Sequence, residues 1–326
     1  MQQAQMRYLR ESDESDVDIP KGKASASALR KMPRGDAQAD LFVPSMWDVA
    51  TKDSRSLMDV AVFRLSKRDK RAGETIRYDL VDGYVEVKAG PDGMASVWDY
   101  DIVLMAISCL TEAMNRHREG LCEKPGRTVR PAVVDILKFC RRSDGGRQYE
   151  EIENALDRLK NTTLKIVRTR KGRGGRTMRE VEGEGLLSNY RVSSYAQNGT
   201  VASVEIEVPN WIYREVVESK HPEILTVHPN YFLIEPGLGR FLYRLARRVA
   251  GRGRARWSFK LIYKRSGSLG SFKEFSRMLR RLISANDLPE YTLAEDEGKS
   301  GPMLIITNRD ALPGELSEAI DNEADA

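Results

Sequence analysis

The chain has 326 residues, of which 40% are hydrophobic and 31% charged, a length beyond one ordinary core and a balance that suits packed cores under a heavily solvated surface. No apolar run approaches bilayer length, and the opening MQQAQMRYLRESDESDVD lacks the apolar centre of a signal peptide, so a cytoplasmic protein without membrane attachment is expected. The formal net charge is +5, and the three cysteines at 109, 122 and 140 have no close pair, which excludes a disulfide framework and a zinc ribbon.

Residues 1–40 carry Glu11, Asp13, Glu14, Asp16 and Asp18, then KGKASASALRKMPRGD, with no sustained periodicity. A disordered or weakly ordered tail is expected there. Order is expected to begin at Leu41-Phe42-Val43-Pro44. LMDVAVFRLS, TIRYDL and YVEVKA read as short strands of a small sheet, with turns at 70–73 and 81–83. Residues 98–118 read as a helix, because Ile102, Met105, Ala106, Cys109, Leu110 and Met114 recur at three and four residues while Asp99, Asp101, Glu112 and Arg116 fall elsewhere. Cys109 on that face is expected to be a buried small hydrophobe.

A short extended piece at 127–129 leads to Pro131, which tolerates the first turn of a helix over 132–139. After the basic, glycine-containing break at 141–146, residues 148–160 place Ile152, Ala155, Leu156 and Leu159 at helical spacing. A β-leaning run at 162–167, a loop at 168–176 and a return at 178–190 follow. Helix, turn, helix and a hairpin with a basic tip is the order of a winged helix, whose second helix enters a major groove while the tip reaches backbone or minor groove. Glu150 and Glu151 at the start of that helix either accept from cytosine or stabilise its N-terminus. Arg158 lies on its solvent or DNA side. Arg168, Arg170, Lys171, Arg173 and Arg176, interleaved with Gly172, Gly174 and Gly175, are candidate phosphate or minor-groove contacts, since glycines let the backbone approach closely. Asn198-Gly199 is a tight-turn signal before a strand at 201–208, and a short helix is expected at 209–218. His221 and His228 have no Cys or acidic helper at ligand spacing. These features bound a first winged-helix domain at 41–225.

A second is expected at 226–309. Leu238, Phe241, Leu242, Leu245, Ala246 and Val249 form an apolar face with Arg240, Arg244, Arg247 and Arg248 around it, and 251–256, with Arg254 and Arg256, reads as a basic turn. Alternation would allow 257–264 as a strand. The Gly267-Ser268-Leu269-Gly270 turn that follows, with Ser271 and Glu274 placed for a capping box, favours a helix instead. Residues 272–283 then alternate an apolar side with Lys273, Arg277, Arg280 and Arg281, and form the better reading helix of the two. Strands at 291–293 and 303–307 flank an acidic tip, and 310–326 is an acidic tail.

The mean charge hides this distribution. Residues 141–179 hold twelve Lys/Arg against five acids, 236–281 hold fourteen against Glu274 alone, and 289–326 reverse the balance with ten acids against Lys299 and Arg309. Counterion release from a polyanion rewards such concentration, so double-stranded DNA is the expected partner. No Gly-rich loop ends in Gly-Lys-Ser/Thr, and Gly237-Leu238-Gly239 follows no βαβ unit. Tyr149, Tyr190, Tyr195, Tyr213 and Tyr231 offer nucleophiles for a nuclease or relaxase, but the three histidines at 117, 221 and 228 supply no metal cluster beside them. A non-enzymatic protein with no cofactor and no metal is therefore expected.

The Trp98-Asp99-Tyr100-Asp101 helix start, the passage 149–164, Val208-Pro209-Asn210-Trp211-Ile212-Tyr213, the arginine-rich helix 239–248 and the passage 272–293 carry a resemblance. In their order and spacing over 41–309 the chain resembles the plasmid replication initiator protein A family. The resemblance implies an α+β fold of two winged-helix domains in tandem, with an extra small sheet at the start of the first. It also implies a non-enzymatic initiator that binds repeated origin sites (iterons), helps open duplex and recruits host replication proteins such as a helicase or initiator; some related initiators repress their own promoter as homodimers while monomers initiate. A plasmid-encoded winged-helix transcriptional regulator without initiation activity remains the alternative.

Overall fold

The computed structural model describes residues 27–31, 49–143, 146–171, 176–194 and 201–312. The basic hairpin tip at 172–175, the Asn198-Gly199 turn, Leu41-Phe42-Val43-Pro44 and most of both tails lie outside these residues. In chain order the first part contains β1 (Lys52–Ser54), β2 (Thr75–Leu80), β3 (Gly83–Lys88), α1 (Tyr100–Arg118), β4 (Thr128–Val129), α2 (Val133–Phe139), α3 (Gly146–Asn161), β5 (Thr163–Lys171), β6 (Thr177–Gly185), β7 (Asn189–Ser194), β8 (Val201–Glu207), α4 (Asn210–Tyr213) and β9 (Ile224–Thr226). The second contains α5 (Gly237–Val249), β10 (Arg254–Ser258), α6 (Phe259–Ser266), α7 (Phe272–Ala285), β11 (Tyr291–Gly298) and β12 (Gly301–Asn308).

The periodic segments become helices that bury the expected faces. Ile152, Ala155, Leu156 and Leu159 of α3 are buried, as are Phe241, Leu242, Leu245 and Ala246 of α5. Helix α1 goes further, because every residue from Tyr100 to Leu110 is buried, including Asp101 and Ser108. A helix apolar on one side can be covered all round only if its polar groups find partners. Ser108 Oγ donates to Leu104 O at 2.6 Å and accepts from Lys52 N at 2.7 Å, and Asp101 receives Arg240 of α5.

Among the described residues four small antiparallel sheets divide the strands. β2 and β3 pair as expected, with Tyr78 opposite Val85, and β5 and β6 join them in the order β2-β3-β5-β6, with Val85 opposite Ile166. The hairpin expected as the first wing, β5–β6, therefore lies in the sheet of β2 and β3. Strand β4 pairs with β8, and β8 with β7, so the hairpin sharing a sheet with the strand between α1 and α2 is β7–β8. The β5–β6 hairpin extends the other sheet because β3 offers it a full antiparallel edge from Gly83 to Lys88.

Three other expectations change. The stretch LMDVAVFRLS is not a strand. Leu57, Met58, Val60, Ala61, Val62 and Phe63 are all buried, and its backbone is served by irregular bonds such as Ala61 N to Arg265 O at 2.9 Å and Tyr78 Oη to Ala61 O at 2.7 Å. Residues 254–258 form β10 rather than part of a turn, pairing Trp257 with Leu304, and the expected helix begins only at Phe259, where Ser258 Oγ accepts from Leu261 N. Within 1–40, residues 27–31 are docked, with Glu235 N donating to Ala28 O, Arg30 N donating to Leu233 O, and Ala28 buried.

Candidate nucleic-acid interface

Helix α7 is placed by local chemistry. Gly267 ends α6 in the left-handed conformation (φ 59°), which needs no Cβ, and a Cβ there would lie 2.4 Å from the Tyr78 hydroxyl. Four residues on, Ser271 Oγ accepts from Glu274 N at 3.3 Å and Glu274 Oε2 accepts from Ser271 N at 3.2 Å, the expected capping box. Phe275, Ser276, Leu279 and Leu282 turn inward, while Lys273, Arg277, Arg280 and Arg281 are exposed. The Lys273 and Arg277 side chains make no hydrogen bond or ion pair among the described residues. Arg280 is held by Glu295 of β11, with contacts of 2.7 to 3.1 Å. The Glu295 hydrogen bonds raise the Arg280 pKa.

The neighbouring hairpin is acidic where it bends. Arg256 lies across from it on β10, with Nε 3.3 Å from Asp296 and Nη2 donating to Glu297 O at 3.0 Å. Arg254, half-buried, is on the same strand. The two candidate arginines of the expected turn are thus strand residues.

In the first part the cations are differently engaged. Arg158 does not face outward. Its guanidinium is partly buried and donates two bonds of 2.9 Å to Asp99 at the start of α1, which fixes α3 against α1. Arg168 is half-buried on β5, Arg170 is exposed and 3.9 Å from Glu180, and Arg176 is exposed at the start of the return. Arg173 and the Lys171 side chain lie outside the described set. Beneath the hairpin, a cleft of about 670 Å³ is lined by Arg168, Arg170, Glu182, Trp211 and Arg214, so its charge is mixed.

The number of arginines overstates the cationic surface. Arg240 and Arg244 are buried, bonded to Asp101 (2.6 and 2.8 Å) and Asp53 (2.5 Å). Conversely Lys67 and Arg68, to which the sequence reading assigns no role, and Lys70, which it places in a turn, are exposed. The run SKRDKRAG is the signal that could have found them.

Among the tyrosines weighed for nucleophilic chemistry, Tyr190 donates to Asp157, Tyr213 donates to Pro125 O at 3.0 Å and Tyr231 is buried, while Tyr195 lies outside the described residues. No three His, Cys, Asp or Glu side chains among the described residues are grouped to hold a metal ion, and no described helix is long and apolar enough to cross a membrane.

This mixed α/β arrangement of small sheets has solved counterparts. The crystal structure of selenomethionine derivatives of domain 2 and domain 3 of RctB matches with a TM-score of 0.54 at 13% identity, covering 81% of this chain and 98% of that one. A second structure of RctB domains 2–3 matches with a TM-score of 0.50 at 14% identity, covering 76% and 95%. At these identities the likeness shows the fold. The sequence carries the rest, because the family model for Replication initiator protein A matches residues 52–293. The chain belongs to the replication initiator protein A family. A protein of Wigglesworthia glossinidia brevipalpis named "Putative replication protein" is 28% identical over 241 residues, 72% of this chain and 82% of that one.

Proposed function

We propose that this chain is a plasmid replication initiator that binds repeated sites in double-stranded origin DNA through two winged helices and helps neighbouring duplex to open. The observation that carries this reading is α7, a capped helix of a helix-turn-helix whose exposed side carries Lys273, Arg277, Arg280 and Arg281. The succession α5, β10, α6, α7, β11, β12, with strand order β10-β12-β11, follows winged-helix connectivity, and α1, β4, α2, α3, β7, β8 repeats it with the β5–β6 hairpin inserted. Two such units on one chain raise the effective concentration of the second contact once the first is made. Family membership and the relative named as a replication protein support the initiation half of the reading. Host replication proteins and a second copy of the chain are further partners under it.

The test is a gel-shift titration of the full chain against fragments of its native replicon and against random DNA, at several salt concentrations. Arg277→Ala and Lys273→Ala are expected to cost about 1–3 kcal/mol on the preferred fragment wherever they contact base edges. No preference of the wild-type chain for any replicon fragment would end the reading. Promoter control without replication of an origin plasmid supplied in trans would make it a transcriptional regulator instead. Permanganate reactivity of a supercoiled origin, unchanged by saturating protein, would remove the opening step.

A further inference from the structure

The loop between Arg64 and Gly73 is cationic and lies beside α7. It carries five Lys/Arg, at 64, 67, 68, 70 and 71, against Asp69 alone. Its backbone is pinned. Ser66 Oγ accepts from Arg68 N and Asp69 N at 3.2 and 3.3 Å, Met94 N donates to Lys70 O at 2.8 Å, and Arg71 Nη1 donates to Gly267 O, in the turn before α7, at 2.6 Å. A cleft of about 1270 Å³ separates the loop from α7, with Ser66, Asp69 and Arg71 on one side and Arg277, Met278 and Arg281 on the other.

A helix in a major groove has a phosphate wall on either side. On one flank of α7 stands the acidic end of β11, where Glu295 already holds Arg280. That flank repels phosphate. The loop faces α7 across the cleft, with Lys67, Arg68 and Lys70 exposed and Lys67 4.0 Å from Glu235. Leu269 and Met278, exposed at 55% and 39%, border the cleft and offer apolar contact to deoxyribose faces or a thymine methyl.

We propose that the loop at 66–71 is a phosphate clamp, gripping the DNA strand that borders α7 on the side away from β11 and taking the part that a basic wing would play. Residues of the first unit thereby complete the DNA site of the second. This rests on the reading of α7 as a DNA-contacting helix.

Full-length Lys67→Ala/Arg68→Ala/Lys70→Ala should bind both random-sequence duplex and replicon fragments more weakly, by the same factor on each. Its salt slope, read by fluorescence anisotropy, should flatten by about 0.9 for each phosphate that the loop no longer neutralises. On the wild-type chain, phosphate ethylation should interfere on the strand along one side of the α7 footprint. Wild-type affinity and salt slope in the variant, or ethylation interference confined to the β11 side, would overturn the clamp while α7 binding stood. A variant that bound more tightly would mean that the cleft holds an acidic protein segment, and would overturn it too. A wild-type chain that bound no duplex at all would end both readings together.

Discussion

The Arg244 guanidinium and the Asp53 carboxylate are both wholly buried, 2.5 Å apart. Tyr100 donates to the second Asp53 oxygen at 3.1 Å, and the rings of Tyr100 and Phe63 lie 4.6 and 4.9 Å from the guanidinium carbon. Burial opposes the charge on Arg244, but Asp53 outweighs it and the pKa is raised. Removing the carboxylate strands a buried cation, so Asp53→Ala should lower unfolding free energy by about 3–5 kcal/mol in urea titrations. Replacing both partners, as in Asp53→Leu/Arg244→Met, should recover much of that loss. A near-neutral Asp53→Ala would contradict the pairing. The thiols offer a second check at this scale. Burial pushes Cys109 and Cys140 up to about 12, whereas Cys122 is exposed. Because the thiolate is the reactive form, Ellman's reagent at mildly alkaline pH should titrate one equivalent in the native chain and three after denaturation.

Helix α7 and the β11–β12 hairpin carry opposite charge, and Glu295 of β11 holds Arg280. Glu295→Ala should free Arg280, tightening binding to random duplex and steepening the salt slope by up to about 0.9. Anisotropy titrations at several salt concentrations read this directly. An unchanged slope would place Arg280 away from the backbone. The hairpin itself should survive the change, because Leu293, Leu304 and Ile306 are buried beneath it and Glu295 is an exposed position.

At the scale of the molecule, a single core of buried residues among those described runs from the first unit into the second. Arg240 and Arg244 of α5 cross into the first unit to reach Asp101 and Asp53. Gly237 sits so close to Leu65 that a Cβ would lie 2.1 Å from its carbonyl oxygen. Unfolding should therefore be one transition, with tryptophan fluorescence and far-ultraviolet circular dichroism changing together. Gly237→Ala should lower its midpoint without splitting it. Two separated transitions in the wild-type chain would show that the units are held less tightly than their shared core implies.

Local pattern determined much of this protein. The three-and-four spacing in α1, α3, α5 and α7, the Ser271–Glu274 box and the β11–β12 hairpin all follow from residues within a turn or two of each other, as does the cationic side of α7. Tertiary structure decided what covers the polar sides. Asp53 and Arg244 are 191 residues apart, and no periodicity in either segment says that they meet, so arginines that read as surface became the joint between units. The same limit applies to β5–β6, whose alternation defines a hairpin without naming the edge it joins, and to residues 57–63, an apolar run buried without strand pairing. Hydrophobic period reports which side of an element avoids water, while the choice of neighbour depends on contacts distant in sequence.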